Sequence, residues 1–207
     1  MNWNVMRHVG KVASPVAKGV LGMTAAGTLS AAVLIQPWEA RRHVPYLDTI
    51  AYPPVWTVCD GITGPAVVPG KHYDDLECDA MLAEEVTKHE NGLDQCLSVE
   101  PPLETKAAMI SFTFNVGVRA ACRSTLVRMA NAGDLKGSCN QLSRWVFAGG
   151  RKIRGLENRR FRGDATRISE RSLCLKGLDP DYKIPLYEVW YSKYKDFKTR
   201  NFKGRNV

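Results

Sequence analysis

The chain has 207 residues, is 44% hydrophobic and 24% charged, and carries a formal net charge of +8. These values exclude a chain of several large domains and one too polar to build a core, leaving one catalytic-sized domain with a short appendage at each end. The positive balance points to an acidic partner: nucleic acid, an anionic membrane surface or an acidic polymer such as a cell wall. The charge is uneven, with 11 acids against 2 bases from Cys59 to Thr105, and 9 bases against 3 acids from Arg151 to Gly177. Such a split could line two sides of a cleft or describe two solvated faces.

The first thirty-seven residues read as an export segment. Arg7, Lys11 and Lys18 precede any acid, and twenty uncharged residues separate Lys18 from Glu39. As a helix that stretch is about 30 Å long, roughly one bilayer core. The basic flank predicts an N-terminus left in the cytoplasm and an exported remainder. As an anchor it is weak, because nine of the sixteen residues from Val20 to Ile35 are Gly, Ala, Ser or Thr. Gly22, Ala26 and Ser30 form a small-residue stripe suited to close helix packing. Cleavage near Ser30-Ala31-Ala32, permanent anchoring and intact release are the competing readings.

Three residues separate Ile35, the last of that apolar run, from Glu39, and Asp48 lies nine further on. Pro45 to Val68 is rich in Val, Tyr, Trp, Thr, Pro and Gly and is expected to form short strands and turns, with Thr57 on one of them. Two carboxylates and a hydroxyl at such spacing suit glycoside hydrolysis, which needs a proton donor and a second carboxylate opposite the developing oxocarbenium ion.

Asp74-Asp75-Leu76-Glu77 resembles a capping box with Asp74 at the N-cap, opening a helix of about twenty residues. Pro101-Pro102 starts the next helix; it is apolar nearly all round and ends at Gly117, as a central buried helix should. Further helices are expected over Ser124–Asn131 and Leu135–Phe147, with a basic stretch over Leu156–Leu175. A small strand region followed by a helical bundle is an α+β plan. Residues 178–207 form a basic, aromatic tail, either docked on the body or presenting a cationic surface to lipid or wall.

The six cysteines, Cys59, Cys78, Cys96, Cys122, Cys139 and Cys174, contain no C-x-x-C pair, and the four histidines are scattered, so neither a metal site nor a cofactor is expected. An even count behind an export segment favours three disulfides. Fifteen pairings are open; local, sequential pairing is the expectation.

These residues resemble the phage-type lysozymes, glycoside hydrolase family twenty-four, and more narrowly the signal-anchor-release endolysins of phages infecting Gram-negative bacteria. The family pattern is Glu, eight residues, Asp or Cys, five residues, Thr. Glu39-x8-Asp48 fits it, and Phe112-Thr113-Phe114-Asn115-Val116-Gly117, Arg123-Ser124-Thr125-Leu126 and Arg144-Trp145-Val146-Phe147-Ala148-Gly149-Gly150 match further stretches in order. Gly155-Leu156 and Arg159-Arg160 match as well. Two departures stand out. Eight residues separate Asp48 from Thr57, as though Ala51-Tyr52-Pro53-Pro54 extended the hairpin turn, and residues are gained around Phe161 to Arg167.

The resemblance implies a phage-lysozyme-like fold, with an anchor over 1–37, a catalytic domain over 38–177 and an extension over 178–207. It implies a muramidase acting on peptidoglycan, with Glu39 as general acid in a partly apolar site beside Trp38. Asp48 and Thr57 would hold the attacking water and give inversion, and Phe114, Asn115 and Thr125 would touch sugar. It further implies Sec export and transient tethering in the host inner membrane through residues 19–37. Release would then give an active periplasmic monomer. The anchor contains no cysteine and position 48 is Asp, which argues against activation by disulfide exchange. A lytic transglycosylase would leave Asp48 and Thr57 without a task. A non-catalytic, membrane-tethered wall-binding protein would not need Glu39. Export and disulfides together speak against nucleic-acid binding.

Overall fold

The computed structural model describes residues 28, 30–49 and 52–182; residues 1–27, which hold most of the expected anchor, and 183–207 of the expected extension lie outside the described residues. The described chain enters as a helix over residues 30–35 (α1) and tightens into a 3-10 turn, Gln36–Trp38, with Pro37 in its first turn. A three-stranded antiparallel sheet follows, β1 (Arg42–Asp48), β2 (Val55–Cys59) and β3 (Ile62–Thr63), in that order. The helical lobe comprises α2 (Asp75–Asp94), α3 (Leu103–Val116), α4 (Val118–Cys122), α5 (Thr125–Asn131) and α6 (Leu135–Gln141). It closes with α7 (Arg154–Glu157), a π-helical turn Asn158–Arg162 and α8 (Glu170–Lys176).

Local chemistry sets several boundaries where the sequence places them. The Asp74 carboxylate accepts from the Glu77 backbone N–H while the Glu77 carboxylate accepts from that of Asp74, so both orphan donors at the start of α2 are satisfied. Pro102 caps α3 and Gly117 ends it. Ala107, Ala108, Met109, Ile110 and Phe112 are fully buried, which makes α3 the axis of the lobe, packed between α2 and α8.

Two boundaries differ from expectation. The helix expected over Leu135–Phe147 stops at Gln141; a 3-10 turn, Leu142–Arg144, follows, and then a hairpin of β4 (Phe147–Ala148) and β5 (Arg151–Lys152). Gly149 and Gly150 both have positive φ, the requirement of a two-residue hairpin turn, so the glycines read as a helix stop in fact turn a ribbon. The basic stretch is likewise no single helix. Gly163, at φ +67°, ends the π-helical turn and opens a loop before α8.

The three disulfides, Cys59–Cys78, Cys96–Cys122 and Cys139–Cys174, join consecutive cysteines. The first staples the sheet to α2 and the third ties α6 to α8. Cys139–Cys174 closes the longest loop, a separation of 35 residues. On loop-closure entropy, replacing both of its cysteines by alanine is expected to cost about 4 kcal/mol, measured by urea denaturation. A loss below roughly 1 kcal/mol would show that the reduced chain is already held together by the surrounding core.

The end of α1 belongs to that core. Ala31, Leu34 and Ile35 are buried among α2, α3 and α5 side chains such as Leu82, Met109 and Leu126. The Thr28 hydroxyl donates to the buried Glu90 carboxylate, which also faces the Lys106 ammonium at 3.6 Å. Burial pushes the Glu90 carboxyl above its ordinary range, with Thr28 and Lys106 pulling it part of the way back. Among the described residues no helix is long and apolar enough to cross a membrane.

Candidate active site

Glu39 stands where the helical entry meets the sheet. It is the first residue after the 3-10 turn, extended at φ −95° and ψ 139°, with its N–H donating to the Gln36 carbonyl at 3.2 Å. Its side chain is 23% exposed and projects into a cavity of about 320 Å³. Trp38, Asn115, Asn158, Arg159 and Arg167 also line that cavity, with Ile153 and Leu156 supplying apolar wall. One carboxylate oxygen, Oε1, accepts from Arg159 Nη1 at 2.6 Å. The other, Oε2, lies 4.0 Å from where a Cβ on Gly61 would stand, so the β2–β3 turn closes in on that side. Apolar wall and Trp38 stand on one side of the carboxylate, and a buried arginine holds another face of it.

That arginine is part of a buried chain of charges. Arg159 Nε donates to Glu170 Oε1 at 3.0 Å, and Ser111 Oγ donates to the same oxygen at 2.8 Å. Arg160 Nη1 donates to Glu170 Oε2 at 2.5 Å, while its Nη2 donates to Asn115 Oδ1 at 2.5 Å and its Nε to the Trp145 carbonyl at 3.2 Å. Glu170 is fully buried and serves two guanidiniums at once. Burial alone would favour loss of the Arg159 proton, but the Glu170 and Glu39 carboxylates outweigh it and hold Arg159 above the usual arginine range. Burial lowers Arg160; Glu170 opposes this and the adjacent Arg159 charge adds to it. Two consecutive arginines point inward because they sit on the π-helical turn, a geometry frequent at functional sites. Two of the bases in the positive stretch are thus buried in ion pairs and are not part of a solvated face.

The sheet places the next two candidates. Asp48 pairs with Val55 and Tyr46 with Thr57, so Asp48 and Thr57 stand on one face as diagonal neighbours. The extra residues lie in the β1–β2 connection, beyond Asp48 and before Val55, and leave the pairing of Thr57 intact. Asp48 is half-buried and Thr57 is buried, its hydroxyl donating to the Val55 carbonyl at 3.4 Å. Neither lines the Glu39 cavity.

Of the three expected sugar contacts, only Asn115 reaches the cavity. Phe114 is half-buried, its ring 5.2 Å from that of His89 at the margin of the core. Thr125 begins α5, its hydroxyl accepting from Arg128 Nη2 at 3.2 Å. Arg159, Glu170 and Arg167 were not singled out as site residues. The Arg159-Arg160 pair was visible as a motif, but nothing local in sequence tells a buried arginine from a solvated one.

A glutamate at the junction of an N-terminal helix and a small antiparallel sheet, above a cavity walled by a helical lobe, defines a lysozyme-type site. The phage lysozyme family model matches residues 36–162. A SAR-endolysin of Bacteriophage PS119 is 40% identical over 139 residues, covering 67% of this chain and 77% of the relative. That of Escherichia phage 933W is 31% identical over 167 residues, covering 77% and 93%. The active form of P1 phage endolysin Lyz superposes with a TM-score of 0.60 at 26% identity, over 83% of this chain and 99% of that one. A P22 lysozyme mutant shares the fold with a TM-score of 0.61. The chain belongs to the phage lysozyme family and is an enzyme of the lysozyme class.

Proposed function

We propose that the chain is a phage endolysin that hydrolyses the β-1,4 bond between N-acetylmuramic acid and N-acetylglucosamine. Glu39 is the proton donor to the leaving oxygen. Asp48, as the carboxylate, and Thr57 hold and activate the attacking water, giving inversion. The observation that carries this reading is the placement of Glu39. One of its oxygens is tied to Arg159, and the carboxyl opens into a cavity between sheet turn and helical lobe. Sharing Arg159 with Glu170 spreads its charge over two carboxylates. Asn115 and the cavity wall then meet the sugar.

The same reading assigns residues 1–37 to a releasable anchor, 38–177 to the catalytic domain and 178–207 to an extension. The chain is exported by the Sec route, tethered inactive in the host inner membrane through residues 19–37, and released as an active periplasmic monomer. Support comes from the far end of the anchor, where Ala31, Leu34 and Ile35 fill the core directly before the three-residue turn that leads into Glu39. A segment cannot occupy that core and a bilayer at once, so membrane residence and a formed site exclude each other.

Mass spectrometry of fragments from Gram-negative sacculi digested by the full-length chain tests the reaction. Fragments ending in reducing N-acetylmuramic acid are expected. Products one water lighter would mean a transglycosylase and remove Asp48 from the mechanism, and absence of products would favour a wall-binding protein. For release, Gly22→Leu/Ala26→Leu is expected to hold the chain in the membrane fraction and delay lysis, since leucine strengthens bilayer insertion. Ser30 is left untouched because it is fully buried in the body. Lysis on the normal schedule by this variant would sink the release scheme.

A further inference from the structure

We propose that Arg167 is a positioning residue for Glu39, clamping Pro37 and Trp38, the residues that carry Glu39 into the cavity. The need for a clamp is visible in the 3-10 turn. None of Gln36, Pro37 and Trp38 is buried, and the turn has no side-chain cap. Core packing ends at Ile35, so the last step before the reacting carboxyl is not fixed by burial.

Arg167 comes from the loop between the π-helical turn and α8, where the chain gains residues. Its guanidinium carbon lies 4.1 Å from the centre of the Trp38 ring, and its Nη1 donates to the Pro37 carbonyl at 3.2 Å. A planar guanidinium can stack on an indole and donate in its own plane together. The loop is built to aim it. Asp164 Oδ1 accepts from the backbone N–H groups of Thr166 at 3.0 Å and Arg167 at 2.9 Å, and Oδ2 accepts from Arg167 Nε at 2.6 Å. The Asp164 N–H donates to the Arg167 carbonyl at 3.0 Å, closing the loop on itself. Gly163 completes it, since a Cβ there would stand 2.8 Å from that same carbonyl oxygen. Glu39 is thus held at two points by one segment: Arg159 at its carboxylate and Arg167 at the backbone and ring just before it. Both contacts require Pro37 and Trp38 to be seated on the body.

The inference rests on Glu39 as proton donor. The test compares the full chain with Arg167→Ala, Arg167→Lys, Asp164→Ala and Glu39→Gln, measuring kcat and KM on soluble peptidoglycan chains and the melting temperature of each. Arg167→Ala is expected to lower kcat by about a factor of ten to a hundred, the scale of a displaced catalytic group. KM should stay within about twofold, because uniform substrate binding is not lost. Arg167→Lys keeps the charge without the planar stack and should recover only part of kcat. Asp164→Ala should lower kcat in the same direction with Arg167 present. An unchanged kcat for Arg167→Ala overturns the clamp, as does a loss confined to KM, which would make Arg167 a substrate contact. Inactivity of Glu39→Gln beside a wild-type Arg167→Ala removes the clamp alone, whereas an active Glu39→Gln removes the reading on which it rests.

Discussion

Glu39→Gln is expected to reduce cleavage of sacculi by at least about 10³-fold while the protein still folds and binds the wall. The substitution changes one atom. The amide keeps the shape of the carboxyl and an oxygen to accept from Arg159, so the 2.6 Å contact has a replacement. It has no proton to give to a leaving oxygen. Stability should fall by no more than roughly 1 kcal/mol, the net worth of one hydrogen bond, because Arg159 retains Glu170. Turbidity decay of outer-membrane-stripped cells gives the rate, and sedimentation with sacculi gives binding. Activity within tenfold of the wild type would take Glu39 out of the chemistry.

Glu170→Gln is expected to cause the largest loss of stability of any single side-chain change near the site. Glu170 is fully buried, and each of its oxygens accepts from a different buried guanidinium. Removing its charge strands Arg159 and Arg160 in the interior with Glu39 as the nearest compensation, at the edge of the solvent. Breaking a buried ion pair from one side costs about 3–5 kcal/mol, because the unpaired charge keeps its desolvation penalty. For a domain of this size that lowers the melting temperature by roughly 6–20 °C. Activity should fall with it even below the melting range, since Arg159 would turn toward Glu39 undivided. A calorimetric shift of under about 2 °C would show that water reaches the arginines and the network is not dry.

Local physical signals were legible in the chain from the start. The Asp74–Glu77 box, Pro102 and Gly117 act on neighbours a few residues away, and the apolar circumference of α3 can be buried in only one way, at the centre. The spacing of Glu39 and Asp48 is on its own a common accident; the class of chemistry was implied by the resemblance, carried by that pair together with the Phe112–Gly117, Arg123–Leu126 and Arg144–Gly150 stretches in order. Where the same kind of signal had two solutions, reading failed. Gly149-Gly150 can stop a helix or turn a hairpin, and the choice depends on whether the flanking strands find each other. Positive residues after Arg151 can be solvated or buried, and composition does not distinguish them.

Tertiary structure alone decided the electrostatics of the site. Arg159 meets Glu39 across 120 positions of sequence, and Arg167 meets Pro37 across 130. Such contacts depend on where whole elements dock, and no period or cap encodes that. It also decided where the small and apolar residues ahead of Glu39 lie. Such residues are compatible with lipid and with a protein core alike, and in the folded body Ala31, Leu34 and Ile35 are packed in the core. The sequence by itself determined the helix caps and the central helix, because those are short-range properties, and its ordered motifs carried the resemblance that implied the class of chemistry. The contacts that hold Glu39 are long-range, and only the assembled chain contains them.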